Sequence, residues 1–385
     1  MTLGVRFISS LDEVVEPVAE WLGAARPGRQ LFEADHLLVP TNGVKAWLLP
    51  ELARRVGNRS EWADGVIANV HVGYLGSLHT FIVPQRYRQV DPWSIDSMTG
   101  VILGLINGDS QFAAVIRRSG GALQAAAKLA DRFDRYHARR PMMIRAWEQG
   151  SPVMSPTTAD SFNDGEWRAD DLGPMRWQFD LWRRMRGVIG IPSWPVQIQG
   201  AVQQLRRGEN VVGLPDRLMV AGMQSLSLGA IELLEAFGHV SDVQVLLVHP
   251  SPTLAERARA DLESVGARRG ALQLRPADEV MPEDAHPMVY SWLRGARELQ
   301  EMVMSQGIEV AQHQQLVPAT TDSLLVRIQG AVAQGGVVRP VAHKADDVSV
   351  QIHRCYSLTR QVEALHDALL HARSEEHTSE LQSRQ

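Results

Sequence analysis

The chain has 385 residues, enough for two or three domains with a sizeable core, and its 44% hydrophobic and 22% charged content excludes wholesale disorder, collagen-like and coiled-coil classes. Net charge is −5, from 39 Lys plus Arg against 44 Asp plus Glu, which excludes a general positive field, so any contact with nucleic acid is expected in a local groove. A single cysteine, Cys355, excludes an internal disulfide framework and any multi-cysteine metal site, and fits a reducing cytoplasm.

At the N-terminus, residues 5–8 form a short β-prone run, and Leu11, Val14, Val15, Val18 and Leu22 fall on one helical stripe. Asp12, Glu13 and Glu16 interrupt this first apolar run, so no secretion signal is expected. Nor does any segment reach the roughly 18 charge-free apolar residues that span a bilayer. Residues 35–39 read as a buried strand closed by a Pro40-Thr41-Asn42-Gly43 turn. The helix after it carries Val44, Trp47, Leu48 and Leu52, with Pro50 expected close to its start. Residues 67–72 are strand-like again, and this β-α-β-α-β opening argues for a parallel sheet with right-handed crossovers.

From Met98 to about Gly208 the periodicity turns helical, with runs around 98–106, 123–136, 175–188 and 196–205 and a polar loop at 151–173. Strands return at 217–221 and 243–248, around a helix bearing Ile231, Leu233, Leu234 and Phe237. Residues 266–287, broken by Pro276, Pro282 and Pro287, read as a flexible surface excursion. A helix from Met288 to about Gln306 follows. Residues 348–355 then show strand alternation (Val348, Val350, Ile352) and lead into a helix over 358–370. From Arg373 to Ser383 the string resembles the conceptual translation of a sequencing-adapter oligonucleotide, so 373–385 is expected to be a frayed, foreign tail.

Chemistry is sparse in the pattern. A phosphate loop would belong after the strand at 35–39, yet the segment there has one glycine, and Lys45 is followed by Ala46 rather than by a magnesium-binding Ser or Thr. No His-Glu-x-x-His zinc pattern occurs among the 13 histidines, and no nucleophile elbow is present. The adjacent pairs Asp170-Asp171 and Asp346-Asp347 read as loop polarity. The most suggestive polar stretch runs from Asp131 to Pro141. At helical spacing Asp131, Asp134 and Arg135 share a face, and Phe133 and Tyr136 share another. One reading is an amphipathic helix with solvated ion pairs; the other is a polar wall facing nucleic acid, with Arg139 and Arg140 on phosphate. Trp177 and Trp182 read as core, and Arg183, Arg184 and Arg186 beside them as a local phosphate-binding strip.

A family resemblance rests on an ordered series of short segments. They include residues 41–48, 67–70, 131–141 with Trp147-Glu148-Gln149-Gly150, and 177–182. Further on come 214–217, 225–227, Val248-His249-Pro250, His286-Pro287 with Trp292, and Cys355-Tyr356-Ser357 with 360–367. In this order over residues 1–372 the chain resembles the N-terminal part of the RecC, or gamma, subunit family of exodeoxyribonuclease V. The resemblance implies a degenerate superfamily 1 helicase-like (RecA-like) α/β fold, a parallel sheet with a helical insertion subdomain. It divides the chain into residues 1–95 and 211–344 as the first motor-like domain, 96–210 as its insertion, and 345–372 as the start of a second motor-like domain.

The implied function is that of a non-catalytic DNA-handling subunit in double-strand break repair and recombination, which splits duplex ends and guides single strands. In some members of the family one strand is also scanned for the Chi signal. RecB-like and RecD-like subunits are the implied partners; ATP and magnesium are used by them, and no cofactor is expected in this chain, which has no intact ATPase or nuclease motif. Carried over by motif, the DNA-facing surface comprises Asn42, Asp131, Asp134, Arg135 and Arg140. Pro40, Ala46, Tyr74, Thr80 and Arg132 depart from the family pattern, so the same base contacts are not all expected. The alternatives are a nucleotide-binding α/β enzyme such as a transferase, using strand-end loops at 222–227 and 249–251, and a purely structural scaffold.

Overall fold

Strands β1 (Leu3–Ile8), β2 (Asp35–Val39), β3 (Val70–Tyr74), β4 (Arg217–Met223), β5 (Asp242–Val248) and β6 (Val310–Ala311) pair in the order β3-β2-β4-β5-β1-β6, every pairing parallel. The structure is a computed structural model and describes residues 3–24, 33–56, 65–82, 90–152, 176–209, 213–265, 286–311, 322–335, 344 and 346–383, with no side chains described at 261–265 or 373–383. Side chains alternate across the pleat. Ile8, Leu37, Val39, Met219, Ala221 and Leu246 form one core with helices α1 (Val15–Gly23) and α2 (Asn42–Val56). Val5, Phe7, Leu38, Leu218, Val220 and Val245 form the opposite core, which a later helix closes with Ile231, Leu234 and Phe237. Burial on both faces explains why the sequence of these strands is almost continuously apolar.

Between β3 and β4 lie six described helices: α3 (Ile95–Ile106), α4 (Ala113–Ser119), α5 (Ala122–Arg139), α6 (Pro141–Glu148), α7 (Arg176–Ile189) and α8 (Trp194–Arg206). They enclose a core of their own around Trp93, Phe133, Trp147 and Trp182, in which Trp93 and Trp182 stack at 6.0 Å. Helix α8 serves both cores, with Trp194 in the insertion and Val202 and Leu205 beneath the sheet. After β4 come α9 (Leu228–Phe237), α10 (Pro252–Val265), α11 (Pro287–Trp292), α12 (Arg294–Ser305), α13 (Leu324–Gln334) and α14 (Leu358–Ser383).

Several expectations are corrected. Helix α2 begins at Asn42, so Pro50 sits in its interior rather than near its start. β3 begins at Val70 instead of Ile67, because Asn69 adopts a left-handed φ of 58° and turns the chain, its Nδ2 donating to the Glu33 carbonyl at 2.7 Å. The helix expected over 288–306 breaks at Leu293. The Tyr290 carbonyl accepts instead from Arg297 Nη2 at 3.3 Å, and that guanidinium lies over the Tyr290 ring. Residues 348–355 form no strand: Val348 and Ile352 are 70% and 89% exposed, and among the described residues no strand lies beside them to complete a ladder. The last helix continues to Ser383, past the end expected at Leu370 and through the stretch expected to fray. The loop at 151–173 and the excursion at 266–287 fall almost entirely outside the described residues, as does the Asp170-Asp171 pair.

By its internal contacts the chain divides into two units, Met1–Leu316 with Ala333–Gly336, and Val317–Val332 with Val337–Gln385. Within the second, Asp347 accepts from the Leu324 and Ser349 amides at 2.6 and 2.9 Å and caps α13, the loop role expected for the Asp346-Asp347 pair.

Candidate nucleic-acid interface

In a parallel α/β sheet, ligands are expected beyond the carboxyl ends of the strands. β2 ends at Val39, and only Pro40 and Thr41 precede α2. Thr41 caps that helix: its Oγ1 accepts from the Val44 amide at 3.2 Å and its carbonyl from the Lys45 amide at 3.1 Å. A phosphate loop needs several residues between strand and helix and amides left free to face the anion. This turn is shorter, and its own side chain already occupies one of those amides.

Asn42, the first residue of α2, is exposed, and its Oδ1 accepts from the Tyr74 hydroxyl at 3.1 Å. Tyr74 ends β3, where it is the register partner of Val39. The 3₁₀ segment Leu75–Phe81 follows at once, pinned by buried Leu78 and closed by Ser77 Oγ on the Tyr74 carbonyl (2.6 Å) and Thr80 Oγ1 on the Ser77 carbonyl (2.7 Å). From this segment His79 projects toward the insertion, its ring 4.3 Å from that of Trp194 and its Nε2 3.7 Å from the Asp91 carboxylate.

Opposite stands α5. Asp131 and Arg135 pair at 2.6 Å. Asp134 is half-buried: burial raises its carboxyl above the ordinary carboxylate range and repulsion from Asp131 adds to this, while the nearby His79 acts the other way. Arg139 and Arg140 are exposed where the helix ends, with the Arg140 guanidinium 5.7 Å above the Tyr136 ring. The inner face anchors the helix. His137 is fully enclosed, its Nε2 accepting from Trp182 Nε1 at 3.3 Å, and burial pushes its pKa down to about 3, so it is neutral at neutral pH.

The candidate residues thus fall into two groups. Asn42 is bound to Tyr74 at the sheet end; Asp131, Asp134, Arg135, Arg139 and Arg140 lie on one helix. The 3₁₀ segment connects them, beginning at Tyr74 and ending beside Asp91 and Asp134. His79, Asp91 and Trp194 carry this connection and escaped the sequence reading, because their spacing in the chain forms no motif. Tyr74 was visible only as a departure from the family pattern.

The arginine strip on α7 is corrected. Arg183 Nη1 donates to the Glu148 carbonyl at 2.8 Å, Arg184 pairs with Asp109 at 3.2 Å and bonds the Leu105 carbonyl, and Arg186 pairs with Glu148. These guanidiniums close the ends of α3 and α6 and are occupied within the insertion. Trp182 is core as expected, and Trp177 packs on Phe112 at its edge.

The strand-end loops of the enzyme alternative are filled by protein. A Cβ on Gly222 would lie 2.6 Å from Leu11, and the Ser251 hydroxyl bonds the Ala333 carbonyl while capping α10. Among the described residues no group of three or more His, Cys, Asp or Glu converges as a metal site, and no single helix is long and apolar enough to cross a membrane.

The family model for the RecC N-terminal domain matches residues 5–335. The RecBCD enzyme subunit RecC of Mycolicibacterium smegmatis is 28% identical over 357 residues, covering 88% of this chain and 29% of that protein. The same subunit of Mycobacterium tuberculosis is 28% identical over 382 residues (93% and 32%), and that of Escherichia coli 22% identical over 415 residues (93% and 34%). The chain spans about a third of the length of these curated relatives.

Proposed function

This chain belongs to the RecC family through its N-terminal domain, and from that premise we propose that it handles DNA without hydrolysing nucleotide, in a complex with RecB-like and RecD-like subunits. In this reading it separates the strands of arriving duplex ends and guides single strands during break repair and recombination. A degenerate helicase-like architecture gives the reading its physical sense: a parallel sheet with motor-like connections, retained as a frame after the nucleotide site has gone.

The observation that carries it is the two-residue turn between β2 and α2. Where a motor holds phosphate, this chain has a capped helix start with an exposed Asn42. With Oδ1 on Tyr74, the Asn42 amide group is what remains to meet a strand at the sheet end, while Asp134 and Arg135 stand on α5 with His79 near Asp134. Polar walls of this kind suit passage of a single strand through a local groove in a mildly acidic chain. Scanning for a Chi-like sequence belongs to the same reading, with Asn42, Asp131, Asp134, Arg135 and Arg140 as the base-facing groups and a code altered by the departures at Pro40, Ala46, Tyr74, Thr80 and Arg132.

ATP turnover and strand binding test this together. The chain is expected to turn over no ATP, and the assembled complex to contact single strands with an affinity that falls steeply with salt. Robust ATP hydrolysis abolished by Lys45→Ala overturns the proposal.

A further inference from the structure

Helix α5 carries more positive charge than the site above uses. From Arg117 to Arg140 the sequence holds seven Lys and Arg against two Asp, in a chain whose net charge is −5. On α5 itself Lys128, Arg132, Arg135 and Arg139 follow one another at spacings of four, three and four residues. At 100° per residue they fall within an arc of roughly 60°, along about 16 Å of helix. All four are exposed. The opposite face is buried through Ala126, Leu129, Phe133 and His137, so the helix holds this row at a fixed pitch on a rigid support.

Only Arg135 is paired with a carboxylate; the ion pairs among the described residues include none for Lys128, Arg132 or Arg139. This contrasts with α7, where every arginine of the expected strip is occupied by neighbouring helix ends and acids. A surface row of uncompensated cations is electrostatically unfavourable on its own, because like charges at helical spacing repel one another. It has no packing role to offset that, since these heads lie in solvent.

We propose that Lys128, Arg132 and Arg139 form a rail for the phosphate backbone of single-stranded DNA, contacting it without regard to base sequence. The proposal rests on the DNA-handling reading and deepens it by separating two tasks on one helix. The acidic flank of Asp131 and Asp134 faces the junction with His79, while the rail holds the charged backbone along the helix axis.

The test uses the full chain, alone and assembled with its partner subunits, and labelled single-stranded oligonucleotides of several unrelated sequences. The triple variant Lys128→Ala/Arg132→Ala/Arg139→Ala keeps good helix formers at exposed positions, and circular dichroism checks that it folds. Affinity is expected to drop roughly tenfold at low salt, equally for every sequence, and the slope of log affinity against log salt to become shallower by about 2. The charge-reversed Arg132→Glu variant is expected to weaken binding further. Unchanged affinity and slope in the variant, with wild-type binding intact, overturn the rail alone. So does a loss confined to particular sequences, or a defect in subunit assembly with strand affinity preserved. Absence of salt-dependent strand binding by wild type in either form overturns the underlying reading, and the rail with it.

Discussion

At the scale of single residues, one hydrogen bond sets what the site presents and another holds the frame behind it. Tyr74→Phe removes the donor that holds Asn42 Oδ1. Both groups are exposed, so the thermal midpoint is expected to stay within a degree or so, while strand affinity of the assembled complex falls a few-fold, equivalent to about 0.5–1.5 kcal/mol. A larger loss of stability than of affinity would mean that the bond serves only the sheet edge. His137 makes the opposite kind of contribution, to the frame. Its folded pKa is about 3 against 6.5 when unfolded, so the unfolded chain binds more protons anywhere between those values. Stability is therefore present above pH 6.5 and lost as the pH falls, by about 1.4 kcal/mol per unit for this group. Denaturant melts at pH 7.5 and 5.5 measure the slope. His137→Gln, which retains an acceptor for Trp182 without titrating in this range, is expected to flatten it.

At the scale of elements, α2 and β4 show how local rules and tertiary contacts divide the work. Pro50 interrupts α2 nine residues into it, where it deprives the Ala46 carbonyl of its donor, and the helix persists because Leu48 and Leu52 are buried beneath the sheet. Pro50→Ala, at an exposed position, is expected to stabilise the protein by about 1–3 kcal/mol, visible as a raised thermal midpoint. Arg217 at the start of β4 pairs with Asp35 of β2 at 2.7 Å, bonds the Trp21 carbonyl at 2.6 Å and lies over the Trp21 ring, all buried. Arg217→Met takes the guanidinium away from the enclosed Asp35 carboxylate, so a loss of about 3–5 kcal/mol is expected, and a smaller one when Asp35→Asn accompanies it.

The sheet was legible because strands buried on both faces are continuous apolar runs: β2 coincides with the sequence reading, and β4 and β5 extend theirs by only a residue or two. The helices between β3 and β4 were legible from helical periodicity. What escaped was set by contacts distant in sequence. The left-handed Asn69 that delays β3, the break at Leu293 and the His79–Asp91 link each depend on a partner whose position no periodicity encodes. At 348–355 alternation was present, but a strand is a relation between segments, and its partner is missing among the described residues. The helix of the candidate site was found; the side chains that connect it to Asn42 were not.

Over the whole molecule, stability is distributed unevenly. The second unit carries Val362, Leu365 and Leu369 on α14 with more than half of each exposed, whereas β1, β4 and β5 lie in the middle of a two-faced core. Amide exchange is therefore expected to be slowest in β4 and β5 and near the unprotected limit over residues 346–357; slow exchange in that segment would show that it is covered. The pairing order of the sheet also bears on how the chain is made. β2 must lie beside β4, yet the insertion of more than a hundred residues separates them in the chain, and both neighbours of β1 are synthesised after it. At about 5–20 residues per second, a nascent chain holds β1 and its apolar neighbours without their partners for on the order of ten seconds or more. The helical insertion, whose contacts are largely its own, emerges in that interval and can fold first. A ribosome translating this message thus completes the inserted part before the frame that carries it, and slowed elongation after residue 210 prolongs the time in which the unfinished sheet is open to aggregation.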